Sequence, residues 1–232
     1  MTKSGSLYTW GHGPALGHDT SRALRSQRST ARPKRILLED KCKGKRRKVK
    51  WSRVFAGPTC AFGLDDQGQV WAFGDNACGQ LGLGDQLARI LPEKLDWTFG
   101  AIKSISCGLT HALFLTKQGK VYACGKNDQG QLGLGDKVEF VHQPTLVSKL
   151  TFHTSFIACA GQSSMVTSQK GDLWTFGQSR DFSVDEDVQF VPTLWKKTFQ
   201  ESGKRIVRSS DLLVDRVVMG ESMALLIAHT DL

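Results

Sequence analysis

The sequence lacks the features that mark several large classes of protein. It contains no run of about 18 apolar residues, which argues against a membrane-spanning helix. Its N-terminus carries no apolar signal segment, so we expect an intracellular protein. No segment keeps a helical apolar period of about 3.6 residues. The 232 residues are nevertheless 40% hydrophobic, which is ample for one folded domain.

The sequence also lacks a recognisable catalytic centre. We find no Ser-His-Asp constellation, no paired carboxylates and, among six cysteines, no Cys-x-x-Cys pair. We therefore expect neither an enzyme nor a cofactor or metal. Two glycine-rich stretches, Gln80–Gly84 and Gln131–Gly135, have neither the lysine nor the following helix of a phosphate-binding loop. We interpret their glycines structurally, as sites of close backbone approach or positive φ.

Internal repetition is the strongest feature that is present. Val70–Asp85 and Val121–Asp136 are identical at 11 of 16 positions, at an offset of 51 residues. A period of about 50 residues is typical of arrays built from one supersecondary unit. A strand-like element recurs four times, beginning at Gly5, Gly68, Gly119 and Gly171.

A second apolar element alternates with the first. It precedes the last three copies and recurs once more near the end of the chain, at Val218–Leu225. Short apolar runs joined by polar, glycine-containing turns predict antiparallel hairpins. The sequence therefore predicts an all-β fold of similar small sheets in a single domain. We expect units at about 1–50, 51–101, 102–154 and 155–214, with a closing strand at 215–232.

The two near-identical blocks, together with the Cys-Gly-x-x-His sequence at Cys107–His111, resemble the repeat of the regulator of chromosome condensation family. The resemblance is strong over about residues 51–177 and weaker over 1–20 and 178–228. It implies a β-propeller of four-stranded blades, usually seven in number. With about four units, this chain is expected to form a partial or atypical ring.

The terminal elements suggest several ways of managing an incomplete ring. The chain opens with the second element of a unit, Leu7–Trp10, and closes with the first element of another, Met223–Ile227. These halves could pair with each other and remove exposed sheet edges. An open half-ring, a fragment of a longer protein and pairing with a second subunit remain alternatives.

The resemblance implies two kinds of function. One is guanine nucleotide exchange on a small GTPase such as Ran, coupled to chromatin attachment. The other is a non-catalytic scaffold or adaptor, as in ubiquitin ligases, kinases and ciliary proteins. The candidate partner-binding residues on the connecting loops are Asp75, Asn76, Asn127, Asp128, Thr110 and His111. Asparagine and aspartate also stabilise turns by bonding their own backbone, and a buried histidine is the alternative for His111.

Positive charge is concentrated in one insert. The net charge is +9, and residues 22–53 carry 14 Lys and Arg against two acidic residues. We expect residues 22–50 to form a flexible basic insert within the first unit. Its second half resembles a monopartite nuclear localisation signal, which implies an importin and a nuclear protein, with a cytoplasmic protein as the alternative. The basic tract comprises Lys43, Lys45, Arg46, Arg47, Lys48 and Lys50. Phosphate contact with nucleic acid or chromatin, or a solvated loop, are the alternatives.

Overall fold

A computed structural model describes residues 1–17, 29–42, 45–178, 188–194, 198–201, 205–208, 213–219 and 224–229. These residues form β-strands, turns and loops, and none of them is helical. Over these ranges there is accordingly no helix of the length and apolarity needed to cross a bilayer. The predicted all-β fold is confirmed.

The strands follow one another along the chain as short segments of four to seven residues. They are β1 (Tyr8–His12), β2 (Ser29–Arg35), β3 (Glu39–Cys42), β4 (Lys45–Lys48), β5 (Trp51–Ala56), β6 (Cys60–Asp65), β7 (Val70–Gly74), β8 (Arg89–Lys94), β9 (Ile102–Cys107), β10 (His111–Thr116), β11 (Val121–Lys126), β12 (Phe140–Leu146), β13 (Thr154–Ala160), β14 (Ser163–Ser168), β15 (Leu173–Gly177), β16 (Gln189–Leu194), β17 (Thr198–Glu201), β18 (Arg205–Arg208), β19 (Leu213–Met219) and β20 (Ala224–His229).

Three complete four-stranded sheets form the body of the molecule. Their strand orders are β5-β6-β7-β8, β9-β10-β11-β12 and β13-β14-β15-β16, and every neighbouring pair is antiparallel. Sequential antiparallel pairing is what short polar turns between apolar runs favour. The predicted blades of four strands are therefore confirmed.

The shorter sheets repeat parts of the same pattern. In each complete sheet the first strand bulges at its second residue, and β19 has a similar bulge at its third residue where it pairs with β20. The β1–β2 pair repeats the register and the bulge of the third and fourth strands. Each terminal pair is thus half a blade. Over the described residues β1 and β20 do not pair with each other, contrary to the ring closure that the terminal elements suggest.

The basic insert contains strands that the sequence did not predict. Ser29–Arg35 forms β2, the outer strand beside β1, and β3 pairs with β4 as a hairpin. Within the segment 22–50, which we expect to be a flexible insert, β2 continues the blade pattern and Arg47 of β4 forms an ion pair with Asp65. Residues 18–28, 43 and 44 lie outside the described part of the chain.

The core lies between consecutive sheets. Phe62 of the first sheet and Phe114 of the second are both 0% exposed, and their ring centroids lie 5.3 Å apart in an edge-to-face arrangement. Trp97 stacks on Phe114, also at 5.3 Å. Burying one such ring contributes about 1.5–3 kcal/mol, and edge-to-face contact adds to it. Packing between sheets therefore fixes how one sheet sits against the next.

The fourth strand of each sheet is an exposed edge interrupted by proline. The strands β8, β12 and β16, and likewise β2 beside β1, each carry one proline as the last residue of a bulge, where proline has no N–H to donate. These prolines are Pro33, Pro92, Pro144 and Pro192. Proline on an edge strand blocks pairing with another chain. These outer strands are therefore protected against edge-to-edge pairing.

Candidate partner-binding rim

The candidate residues lie at one end of the sheets. The backbone N–H of Asp75 donates to the carbonyl of Thr59 at 3.0 Å, and the N–H of Lys126 donates to that of Thr110 at 3.0 Å. The turns before the second strands and the loops after the third strands therefore meet. We call this end the rim, comprising the turns 57–60, 108–111 and 161–163 and the loops 74–88 and 126–139.

Two asparagines hold the rim loops from inside. Asn127 is 0% exposed; its Nδ2 donates to the carbonyls of Gly135 and Val138 at 2.9 and 2.7 Å. Its Oδ1 accepts from the N–H of Leu132 at 2.9 Å. Asn76, also 0% exposed, bonds its own loop in the same way. Because both side chains are buried and saturated by their own loops, neither is available to a partner.

Two glutamines form a second lock that the sequence analysis missed. Gln80 Oε1 accepts from the N–H of Cys78 at 2.9 Å, and its Nε2 donates to Asp75 Oδ2 at 3.1 Å. In the next loop Gln131, likewise buried, repeats the first contact with the N–H of Gln129 at 2.9 Å, and its Nε2 donates to Asp128 Oδ1 at 3.2 Å. The Gly-Gln-Leu-Gly identity was the available signal, since buried glutamine is uncommon unless its amide is paired.

The glycines let each loop reach the following sheet. Gly82 and Gly133 have φ of 72° and 67°, and a Cβ on Gly82 would lie 3.1 Å from Pro144 of the next sheet. Farther along the same loop, the N–H of Gly84 donates to the carbonyl of His142 at 2.8 Å. Positive φ and close approach are conditions that favour glycine, so the structural interpretation is confirmed.

His111 belongs to the interior, contrary to its inclusion among the candidate contacts. Its side chain is 0% exposed, and Nε2 lies 2.9 Å from Ser164 Oγ of the third sheet. Ser164 Oγ donates to the carbonyl of Gln131 at 2.8 Å. Burial lowers the pKa of His111 to about 3, so the ring is neutral near pH 7. The histidine therefore links two sheets and cannot touch a partner.

One partly accessible area of the rim is a charged group shared by two loops. Asp75 and Cys78 come from the first loop, and Lys126 and Asp128 from the second; all four are half-buried. Lys126 Nζ lies 2.6 Å from Asp128 Oδ2. Thr110 stands beside them, where Gln131 Nε2 donates to its hydroxyl at 3.5 Å. We call Asp75, Cys78, Lys126 and Asp128 the rim cluster.

The charges of the rim cluster influence one another. Burial alone would raise the pKa of Asp128, but hydrogen bonds from Lys126 and Gln131 outweigh it and lower that pKa. The bond to Asp128 raises the pKa of Lys126. Burial raises the pKa of the Cys78 thiol, and Asp75 adds to the effect. Near pH 7 the cluster therefore presents the Asp128 carboxylate, the Lys126 ammonium group and a neutral Cys78 thiol beside Asp75. In the described ranges no group of acidic, histidine or cysteine side chains is arranged to hold a metal ion.

The basic tract is partly folded and partly neutralised. Arg47 lies 2.5 Å from Asp65 Oδ2, 3.1 Å from Asp66 Oδ1 and 3.3 Å from Asp40 Oδ2. Lys48 and Lys50 are exposed. Lys43, and the side chains of Lys45 and Arg46, lie outside what the structure describes. The hairpin β3–β4 is therefore attached to the first complete sheet through Arg47, an attachment that charge counting does not predict.

Taken together, repeated four-stranded antiparallel sheets with glycine loops that bridge consecutive sheets define a repeat protein of the β-propeller class. Models of the regulator of chromosome condensation (RCC1) repeat match residues 51–80 and 102–131, and also 67–115 and 118–167. The chain belongs to the regulator of chromosome condensation repeat family. The resemblance inferred from the sequence is confirmed.

Known relatives extend beyond the region that this chain covers. Human protein RCC2 is 30% identical over 185 residues, which are 78% of this chain and 33% of the relative. Yeast RCC1 (Prp20), solved bound to Kap60, matches with a TM-score of 0.77 at 20% identity over 98% of this chain and 51% of its own. Saccharomyces cerevisiae Prp20p, described with its binding to Gsp1p and histones, matches with a TM-score of 0.68 at 17% identity. The chain thus spans a third of human RCC2 and about half of the yeast RCC1 (Prp20) that was solved bound to Kap60.

Proposed function

We propose that this chain is a protein-interaction module whose partner docks on the rim. The observation that carries the proposal is the internal locking of the rim loops by Asn76, Gln80, Asn127 and Gln131. Loops that are already ordered lose little conformational freedom when a partner binds, which favours affinity. The rim cluster is then a fixed set of charges, suited to a partner surface with complementary charged groups.

A small GTPase of the Ran type is the partner class we infer. Family membership supports it, as does the binding of yeast Prp20p to Gsp1p. Exchange requires no covalent chemistry by the propeller. A partner that binds the nucleotide-free GTPase more tightly than the nucleotide-bound form lowers nucleotide affinity by the same factor, because the coupling is reciprocal.

Nucleotide release tests this inference directly. The chain is mixed at micromolar concentration with Ran carrying a fluorescent guanine nucleotide, and release is followed together with binding. We expect wild type to accelerate release and Asp75→Asn with Asp128→Asn to abolish the acceleration. Asp96→Asn is the matched control, because Asp96 is exposed beyond β8 at the opposite end of the sheet.

The possible results separate exchange from scaffolding. Binding of Ran that depends on the rim cluster, without faster release, would leave a scaffold or adaptor function. Absence of both binding and release would refute a Ran-like partner. Acceleration that survives the double variant would place the contact away from the rim cluster.

We further propose that the basic tract directs the protein to the nucleus through an import receptor. The tract's composition supports this, and yeast RCC1 (Prp20) has been solved bound to Kap60. Alanine at Lys45, Arg46, Arg47 and Lys48 should shift a fluorescent fusion to the cytoplasm. Alanine at Lys117, Lys120, Lys137 and Lys149 removes the same charge from exposed sites and serves as control. An unchanged nuclear signal in the first variant would contradict the import function.

A further inference from the structure

Asp65 differs chemically from its counterparts in the other complete sheets. It ends the second strand of the first sheet, where Thr116 and Ser168 end the second strands of the others. All three side chains accept hydrogen bonds from the turn that follows. Asp65 Oδ1 accepts from the N–H groups of Gln67 and Gln69 at 2.9 Å, as Thr116 Oγ1 does from Lys120 at 3.1 Å. A hydroxyl therefore suffices for the turn, and the carboxylate needs another explanation.

The contacts of the second carboxylate oxygen of Asp65 explain why an acidic residue is present at this position. Asp65 Oδ2 accepts from Arg47 at 2.5 Å and from Trp71 Nε1 at 3.2 Å, and the Asp65 side chain is 0% exposed. A buried carboxylate is costly unless it is paired with a charge and fully hydrogen-bonded. Here the pairing charge comes from the insert, so the first sheet has a guanidinium site that the other two lack.

Arg47 is the centre of this site. Its guanidinium also reaches Asp66 at 3.1 Å and Asp40, its cross-strand partner in the hairpin, at 3.3 Å. Lys94 Nζ lies 4.0 Å from Asp40. Three carboxylates thus surround two cations, and the charge of Arg47 is neutralised where it lies. Arg47 is nevertheless part of the tract whose positive charge attracts an anionic partner.

We propose that the Asp65–Arg47 pair is an autoinhibitory latch on the basic tract. With the latch closed, β4 stays paired with β3 in the hairpin on the first sheet, and the Arg47 guanidinium is not available to another anion. A phosphate polymer that contacts Arg47 binds only molecules in which the latch is open. Its apparent affinity is therefore the intrinsic affinity multiplied by the fraction of open molecules. The inference rests on phosphate contact by the basic tract, the alternative to an import signal that its density of positive charge supports.

Two substitutions test the latch from opposite sides. Asp65→Ser installs the residue of the third sheet, so the turn keeps its acceptor while Arg47 is released. Arg47→Gln also releases the hairpin but removes the cation. Asp66→Ser is the comparison variant, because it removes the same charge and an exposed contact of Arg47 while leaving the buried Asp65–Arg47 pair. Circular dichroism checks that each variant keeps its sheets.

Hydrogen exchange measures the latch without any ligand. In the full chain we expect residues 39–50 to exchange on the order of tenfold faster in Asp65→Ser and in Arg47→Gln, with residues 102–131 unchanged. A charge-assisted hydrogen bond corresponds to a change of that order. Unchanged exchange over residues 39–50 in Asp65→Ser would overturn the proposal.

Binding to a 20-base-pair DNA duplex at fixed salt measures the consequence. We expect Asp65→Ser to bind on the order of tenfold more tightly than wild type, Asp66→Ser only about twofold, and Arg47→Gln no more tightly than wild type. Equal gains in Asp65→Ser and Asp66→Ser would reduce the effect to net charge and overturn the latch. Absence of duplex binding in wild type and in all three variants would refute phosphate contact by the tract and therefore the gating of that contact. The hydrogen-exchange result then decides separately whether the Asp65–Arg47 pair holds the hairpin.

Discussion

Replacing Asn127 by alanine should loosen the rim without changing a single surface charge. The substitution removes the acceptor of the Leu132 N–H and the donor to the carbonyls of Gly135 and Val138. Leu132 is 0% exposed, so its N–H loses its partner without gaining water. Gly135 and Val138 are half-exposed, and their carbonyls can be hydrated.

The expected cost follows from these three groups. A buried N–H left unpaired costs about 2 kcal/mol, and each hydratable carbonyl bond contributes about 0.5 kcal/mol, giving about 3 kcal/mol in total. For a domain of this size that corresponds to a fall of roughly 6–12 °C in the melting temperature. Asp128→Ala, one residue away and half-exposed, should stay within about 1 kcal/mol of wild type.

An isosteric variant separates hydrogen bonding from side-chain volume. Asn127→Asp keeps the acceptor for Leu132 but sets a carboxylate oxygen against two carbonyls, so it should destabilise at least as much as alanine. Urea unfolding followed by tryptophan fluorescence gives the free energies. The interpretation of Asn127 as a lock would be refuted if the alanine variant unfolded with a free energy within about 0.5 kcal/mol of wild type, roughly the effect of a neutral surface change. An aspartate variant as stable as wild type would refute it as well.

Two further predictions concern contacts between sheets. Gly130→Ala should destabilise the fold by several kcal/mol more than Gly135→Ala. Both glycines have positive φ, but a Cβ on Gly130 meets the backbone of Gln189, while a Cβ on Gly135 meets nothing within 4 Å. Equal free energies of unfolding for the two variants would contradict the bridging function of the loop. Stability should also fall as pH drops from about 6.5 toward 3, by about 2 kcal/mol at pH 5, because the unfolded chain then takes up a proton that buried His111, with its pKa lowered to about 3, does not. His111→Gln should flatten this slope in chemical unfolding measured across that range, and an unchanged slope would assign it to other groups.

The strand pattern of the fold could be predicted because every unit obeys the same local rules. Val70–Gly74 and Val121–Lys126 alternate with polar turns in sequence and form the third strands in the structure. The outer strands were harder to recognise. Pro33 lies 22 residues after Gly11 but Pro92 lies 18 after Gly74, so loop length varies and no fixed spacing marks these strands.

The candidate site was predicted less completely, for a physical reason. Asn76 and Asn127 have the composition of a recognition loop, and sequence alone does not show whether an amide points outward or into its own backbone. Asp65 was overlooked because an aspartate in a turn is ordinary. Its significance emerges only when Arg47, 18 residues earlier, is found beside it.

Comparison of the two rim loops separates the residues that hold each loop in place from the residues whose side chains reach the surface. Asn76 and Gln80 correspond to Asn127 and Gln131, and these identical pairs are the buried locks. Where the loops differ, the side chains reach the surface: Asp75 corresponds to Lys126, Ala77 to Asp128 and Cys78 to Gln129. Asp75 also supports its own loop, because its Oδ1 accepts from the N–H groups of Asn76 and Ala77 at 2.9 and 3.3 Å. The same reasoning applies to Asp65, which keeps the turn bond of Thr116 and Ser168 and adds a charge. In this chain, the identities between equivalent positions therefore support the fold, and the differences mark the positions that we propose for binding.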